Sequence, residues 1–312
     1  MNNVILLLFV NYHGYFCIMA IKYLKNSEID KTKWDNCINS SANCLIYGNS
    51  WYLDIVCENW DALILDDYKA VMPLPWKSKW GIKYIYHPFF AQQLGIFFTE
   101  GLKIDTKDFL KAVPKHFLKY DFALNHFNNC DNIRHESRNN FLLPLNKTYK
   151  SILSEYDGKC RRNIKLSKKE DVTINTEVTV DTILEFKRSN MVNSISNGHF
   201  NIMKKLLHFL IENNRVKIVG AFNSKNELLG AAAFVFYKKR IIYLFSASNP
   251  LGKKKRVMYR IIDYIIENSS GNDVFLDFEG SMIDGIARFF KGFGSVVETY
   301  YRINKSRIPF IK

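Results

Sequence analysis

The chain is poor in the residues that break, staple or anchor a fold. Seven prolines and 15 glycines among 312 residues exclude collagen-like repeats and leave few long flexible linkers. The six cysteines (Cys17, Cys37, Cys44, Cys57, Cys130 and Cys160) contain no CxxC pair and no Cys/His grouping at zinc spacing. A zinc module and a disulfide framework both lack their residues, so reduced thiols and no bound metal are expected. The apolar stretch at positions 4–10, VILLLFV, falls far short of the roughly 20 residues that span a bilayer. No Lys or Arg precedes Lys22, so the basic start of a secretory signal is missing. Missing too are a GxSxG elbow, an HExxH pair, a P-loop and a GxGxxG followed by a suitably placed acid. Serine hydrolase, zinc protease, P-loop kinase and Rossmann dehydrogenase chemistry have nothing to stand on.

Acidic residues are the other scarcity: 30 Asp and Glu stand against 44 Lys and Arg, a formal charge of +14. Such an excess favours a polyanionic partner, whether nucleic acid, an anionic membrane surface or a phosphorylated substrate or cofactor. What is present is ordinary for a globular protein. Hydrophobic residues at 47% and charged residues at 24% rule out intrinsic disorder, and 15% aromatic residues predict a dense core. The length is about two domains' worth. Met19-Ala20-Ile21-Lys22 reads as an ordinary start, so residues 1–18 are expected to be a non-native or disordered extension. No transmembrane segment is expected, and the location is expected to be cytoplasmic, including the inner face of the membrane.

The periodicity suggests two halves with the same order of elements. In the first, a mixed helical stretch over 31–58 precedes strands at 62–65, 70–74, 83–86 and 95–98. A helix at 105–119, capped by Thr106, and strands at 122–127 and 140–145 complete it. In the second, helices at 182–194 and 200–213 lead to a hairpin, 216–222 and 228–236, about the turn Asn223-Ser224-Lys225-Asn226. A strand at 241–246 and a helix at 253–268 follow, the helix with Val257, Ile261, Ile262, Ile265 and Ile266 on one face. A strand at 274–278, a helix at 283–291 and a strand at 296–303 close the half. Strand–helix–strand stretches joined to an antiparallel meander predict an α/β (α+β) fold, with a mixed central sheet flanked by helices in each half. The domains are expected at 19–147 and 148–312. The basic segment 159–169 is expected to lie between the halves, and the tail 300–312 to return as a strand or pack on the first.

Four stretches could carry chemistry. Ser246-Ala247-Ser248 turns through Asn249-Pro250-Leu251-Gly252 into Lys253-Lys254-Lys255-Arg256. Cations at a helix start oppose the macrodipole unless an anion such as a pyrophosphate offsets them; a solvated basic turn would look the same. Asp277 and Glu279 in Leu276-Asp277-Phe278-Glu279-Gly280 place two acids at a strand's C-terminal end, where sheet ligands commonly sit, or are two exposed structural acids. Trp76 in Pro73-Leu74-Pro75-Trp76-Lys77, with His87 and the adjacent amides Gln92 and Gln93, could line a pocket; core-edge amides and a structural His before Pro88 are the plain alternative. The segment Lys159-Cys160-Arg161-Arg162-Asn163-Ile164-Lys165 has cations on more than one helical face. No DNA- or RNA-binding signature accompanies it, so no DNA partner is expected.

These stretches, in this order, resemble the tandem GNAT-like acyltransferases, the Fem-type (FemABX) peptidyltransferases and related bacterial acetyltransferase-like proteins. The resemblance rests on Lys159–Lys165, on Ser248-Asn249-Pro250, and above all on Leu276–Gly280 leading to Phe290-Lys291-Gly292-Phe293-Gly294. Pro88 to Phe97, with Gln92-Gln93-Leu94-Gly95, is similar to the first-domain pattern of close bacterial relatives. It covers the chain from Met19 onward and implies two GNAT folds, with an acyl donor at the splayed central strands. In standard GNAT domains an Arg/Gln-x-x-Gly-x-Gly/Ala loop wraps the CoA pyrophosphate. Here Asn249-Pro250-Leu251-Gly252-Lys253-Lys254 keeps one glycine of that pattern.

The implied activity is N-acyl transfer to an amine, from acetyl-CoA or another acyl-CoA. Ser246 and Asn249 would sit at the donor strand, with Gly252, Lys253 and Arg256 near its phosphates. Asp277 or Glu279 would act as base, Tyr259 as acid, and His87, Gln92, Gln93 and Trp76 would line the acceptor side. The Fem-type alternative uses aminoacyl-tRNA on a cell-wall precursor, and a third reading is an inert binding module on the same fold. The acceptor would be a small molecule or cell-wall precursor.

Overall fold

The computed structural model describes the backbone of residues 4–10, 16–190 and 195–307, and the side chains of 19–190 and 195–307. The chain divides into two units, Met1–Arg138 with Thr299–Lys312, and Asn139–Glu298. The expected boundary at 147/148 moves upstream because residues 142–144 pair with a strand of the second unit.

In the first unit β1 (Val4–Val10) pairs antiparallel with β2 (Phe16–Leu24). Of the expected disordered extension, 1–3 and 11–15 lie outside the described residues; the 4–10 backbone is this strand. Helices α1 (Lys31–Ser40) and α2 (Ser50–Val56) come next. Asp30 caps α1 by accepting from the N–H groups of Thr32 and Lys33 at 3.0 Å. Strands β3 (Asn59–Leu65), β4 (Ala70–Lys79), β5 (Ile82–Ile85) and the short β6 (Phe97–Phe98) follow, then α3 (Thr106–Ala112) and β7 (Phe117–Ala123). The sheet runs β1-β2-β3-β4-β5-β7, antiparallel until β5 meets β7 in parallel. Pro114 ends the helix expected to reach 119, since proline offers no N–H to the preceding turn. The freed residues form β7 instead, earlier than the strand expected at 122–127. Ile21, Leu63, Met72, Leu74, Phe109, Phe117 and Phe122 form its core.

The second unit begins with β8 (Glu136–Pro144), α4 (Tyr149–Glu155), α5 (Gly158–Ser167) and the short β9 (Val172–Asn175). Then come α6 (Val180–Ser189), α7 (Asn197–Glu212), β10 (Val216–Asn223), β11 (Leu228–Tyr237) and β12 (Arg240–Ser248). The end of the expected 182–194 helix, residues 191–194, lies outside the described residues. Helices α8 (Pro250–Lys254) and α9 (Val257–Ser269), strand β13 (Phe275–Asp277), α10 (Asp284–Lys291) and β14 (Val296–Ser306) complete the chain. Strand order is β8-β13-β12-β11-β10-β9, antiparallel except for β12 with β13. The end of β14, from Arg302, pairs with β7 in the first unit's sheet.

Two expectations for the second unit need correction. The basic segment 159–169 is not an inter-domain element. Its helix, α5, buries Cys160 and Ile164 in the second unit's core with Ile261 and Ile265 of α9, leaving Lys159, Arg161, Arg162 and Lys165 exposed. The single helix expected at 253–268 is two helices, broken where Arg256 takes a left-handed backbone, φ 58°.

A buried amide network fixes the loop that carries the Pro88–Phe97 resemblance. Asn125 donates to the carbonyls of Leu94 and Ile96 at 2.8 and 3.0 Å, and Asn43 to that of Ile96 at 2.8 Å. Asn128 Oδ1 accepts from Ile96 N–H at 2.7 Å. Gly95 sits inside this network at φ +85°, and a Cβ there would lie 2.2 Å from Asn128 Oδ1. Gly95→Ala is therefore expected to lower stability by at least about 2 kcal/mol, from left-handed strain plus overpacking, read as a drop in the urea midpoint at unchanged slope.

Candidate functional site

The second unit's sheet opens between β12 and β13. Strand β12 pairs with β13 only from Arg240↔Phe275 to Ile242↔Asp277, where β13 ends, while β12 continues along β11 to Ser248. From Tyr243 onward its other edge has parted from β13. At this edge the Tyr243 hydroxyl donates to Ser246 Oγ at 2.6 Å, and Lys187 Nζ of α6 donates to the Ser246 carbonyl at 3.1 Å. Lys187 also lies 5.1 Å from the Phe245 ring centre. Burial pushes the Lys187 ammonium below its ordinary value, because a charge costs more away from water. Among the described residues no carboxylate pairs with it. Burial pushes the Tyr243 hydroxyl up to about 12, offset in part by its bond to Ser246. The arrangement holds an amine of weakened basicity, a hydroxyl pair and an open backbone edge. That set can orient a carbonyl compound and exchange a proton with it.

Of the three, sequence reasoning singled out Ser246 and passed over Lys187 and Tyr243. Lys187 sits in a capped amphipathic helix of ordinary spacing, and nothing local distinguishes it from Lys204 or Lys205. Its environment comes only from packing α6 on β12.

The two strands are clamped just before they part. Arg240 donates to Asp277 Oδ2 at 2.6 Å and to Glu298 at 2.8 and 3.2 Å, and Asn140 donates to Glu298 at 3.2 Å. Asp277 Oδ1 accepts from the Glu279 N–H at 2.9 Å. With a side chain 1% exposed and both oxygens engaged, Asp277 is placed as the counter-ion of Arg240 rather than as a free base. The two carboxylates raise the guanidinium's affinity for its proton above the ordinary value, although burial opposes them most strongly. Glu279 follows in left-handed backbone, φ 57°, half-buried just beyond the end of β13.

The turn after β12 is largely occupied by its own contacts. Asn249 caps α8, accepting from Gly252 N–H at 2.7 Å while its amide donates to the Leu228 carbonyl at 3.2 Å. Gly252 lies so close to β11 that a Cβ would stand 2.0 Å from the Leu229 oxygen. Its glycine serves helix-to-strand packing rather than approach to a phosphate. Arg256 Nε donates to Asn163 Oδ1 at 3.1 Å, tying α9 to α5. Lys253 and Lys254 are exposed. Tyr259 packs edge-on to Phe289 at 4.8 Å; burial raises its hydroxyl, partly offset by a hydrogen bond from Asn163.

The expected acceptor residues all lie in the first unit and do not converge. His87 Nδ1 accepts from Ala123 N–H at 3.3 Å, and burial pushes the imidazole down to about 4. It is a neutral tether between the end of β5 and β7. Gln93 is fully buried, accepting from His126 N–H at 2.9 Å and donating to Gln92 at 3.1 Å. Trp76 packs on Phe117, at the opposite end of β7 from Ala123. It lines a cavity of about 480 Å³ with Tyr23, Asp61 and Lys83, and its buried Nε1 has no hydrogen-bond partner among the described residues. Among the described residues no group of His, Cys, Asp and Glu could hold a metal ion.

No family model and no curated protein matches the sequence. Solved structures do. FemX is similar over 88% of this chain and 96% of its own, at 12% identity and a TM-score of 0.60. L-PGS from Bacillus licheniformis is similar over 89% and 92%, at 9% identity and 0.53. A GCN5-related N-acetyltransferase from Sphaerobacter thermophilus covers 94% and 97%, at 9% identity and 0.50. The GNAT-like fold that the motifs suggest, as seen in FemX, is the fold this chain has.

Two outcomes test these assignments. Arg240→Met is expected to destabilise the protein by about 3–5 kcal/mol, because Asp277 and Glu298 are left without their cation; chemical denaturation measures it. For His87, the folded value lies below the ordinary 6.5, so the unfolded chain binds the proton first. Stability present above about pH 6.5 is lost as the pH falls toward 4, by up to about 1.4 kcal/mol per unit. His87→Gln should flatten that slope in melting curves taken across the same range.

Proposed function

We propose that the chain is an acyl- or aminoacyl-transferase working at the parted edge of β12. The observation that carries this reading is the three-residue parallel pairing of β12 with β13 beside the Lys187–Ser246–Tyr243 group. A parted strand offers unpaired backbone N–H groups to an acyl carbonyl, and such fixed donors stabilise the oxyanion formed when an amine attacks. The acceptor amine's proton passes to Lys187, whose burial favours the neutral form that can accept it. The departing group takes its proton from the Ser246 hydroxyl, which regains one from Tyr243 along their 2.6 Å hydrogen bond. The protein otherwise contributes positioning, which alone is worth several orders of magnitude in such reactions.

The donor in this reading is an acyl-CoA, its phosphates meeting Lys253 and Lys254 where the chain leaves β12. A second reading, aminoacyl-tRNA as donor and a cell-wall precursor as acceptor, draws on the turn itself. Asn249 and Gly252 are engaged in capping and packing and leave no pyrophosphate-wrapping loop of the standard kind. The fold shared with FemX is compatible with either donor.

Isothermal titration separates the two. Acetyl-CoA binding, weakened by Lys253→Gln with Lys254→Gln, supports the first. No heat at millimolar acetyl-CoA, together with tRNA binding that falls steeply with salt, supports the second. Failure of both donors to bind removes the transferase reading and leaves a binding module. With the donor that binds, Lys187→Met should lower turnover by about a hundredfold and abolish the ionisation below 10.5 in the rate–pH profile. A variant that loses stability but keeps wild-type turnover and pH profile would make Lys187 an anchor of α6 only.

A further inference from the structure

The turn joining β4 to β5 breaks two local rules at once. Lys79 pairs with Ile82, so Trp80 and Gly81 form a two-residue hairpin loop, with φ of 52° and 75°. Two positive φ values define a type I′ turn, whose first position belongs to Asn, Asp or Gly. A bulky aromatic residue there is a backbone outlier. It is also an exposed one. Trp80 is 88% exposed and Ile82 beside it 38%, while Lys79 Nζ lies 4.7 Å from the centre of the indole ring. Neither strain nor exposure helps the chain fold, and departures from local rules of this kind concentrate at functional positions.

The charge around the tip has one sign. Lys77, Lys79 and Lys83 flank the turn, and residues 76–84 contain no acid. Lys77 lies 3.8 Å from Glu58 and Lys83 Nζ 4.1 Å from the centre of the Trp76 ring, so Lys79 carries the unbalanced charge at the tip. We propose that this hairpin tip is an anchor for an anionic membrane surface. Trp80 and Ile82 enter the interfacial layer, and Lys79 meets the lipid phosphates. Indole rings settle at head-group depth with their apolar body inward, and nearby lysines gain from anionic lipid. Nucleic acid could also stack on Trp80, yet it would leave the exposed Ile82 without use; a bilayer takes up both. No helix among the described residues is long and apolar enough to cross a membrane, so this contact is peripheral. It does not depend on the transferase reading.

The test is cosedimentation of the full chain with phosphatidylcholine vesicles containing about 30% phosphatidylglycerol. The wild type is expected to partition onto them, and onto pure phosphatidylcholine far less. Trp80→Asn should weaken partitioning at least about tenfold and Lys79→Gln about fivefold. Because Asn suits the turn, Trp80→Asn should melt at the same temperature or higher, which separates an anchoring role from a structural one. The proposal is overturned if the wild type fails to bind at millimolar anionic lipid, or if Trp80→Asn binds as well as the wild type. Loss of folded stability in that variant overturns it too. So does binding of single-stranded RNA, but not vesicles, in a Trp80-dependent manner.

Discussion

Everything proposed for the second unit depends on how β12 is held to β13 and where that hold ends. Three paired residues make a weak parallel junction by themselves. The Arg240 guanidinium reinforces it, set between Asp277 and Glu298 in a site where all three side chains are largely shielded from water. Removing three charges from solvent is costly, and only the complete set of hydrogen bonds offsets it. Asn140 and the Glu279 amide complete that set. One residue past the junction, aromatic packing takes over. Phe278 stacks on Phe290 at 4.6 Å, and Tyr243 meets both rings at about 6 Å. The strand therefore parts between two rigid supports, an ionic one below and an aromatic one beside it.

That arrangement explains what could be read in the sequence and what could not. The order of helices and strands was legible because apolar spacing survives in each element: α9 buries Val257, Ile261, Ile262, Ile265 and Ile266, as its periodicity implies. The motif Leu276–Gly280 with Phe290–Gly294 was legible as a family pattern, but most of its residues serve the core. Leu276, Phe278, Phe290 and Phe293 are all buried, and Gly280 lies against the Asn139 carbonyl. A pattern kept for packing is easily mistaken for one kept for chemistry. The role of Asp277 could not be read, since its partner Arg240 lies 37 residues away and no local signal links them. The break at Arg256 was hidden for a similar reason, as neither Gly nor Pro marks it.

The first unit shows the same confusion with polar residues. Gln92, Gln93 and His87 look like groups waiting for a ligand, yet they belong to a loop whose Leu94 and Ile96 backbone groups are satisfied by Asn43, Asn125 and Asn128 from other segments of the unit. Amides are suited to this work because each carries both donors and an acceptor. Buried loop backbone must find such partners when no neighbouring strand supplies them.

The outermost strand of the second unit's sheet, β9, has a further consequence. A terminal strand leaves a row of free N–H and C=O groups, a ready template for strands of other molecules. Here it is four residues long and follows directly on Lys168-Lys169-Glu170-Asp171. A template that short, approached through ions of both signs, gives an incoming strand few bonds and strips water from many charges. The same four residues that finish the sheet thus act as its guard against aggregation while the protein is crowded and newly made.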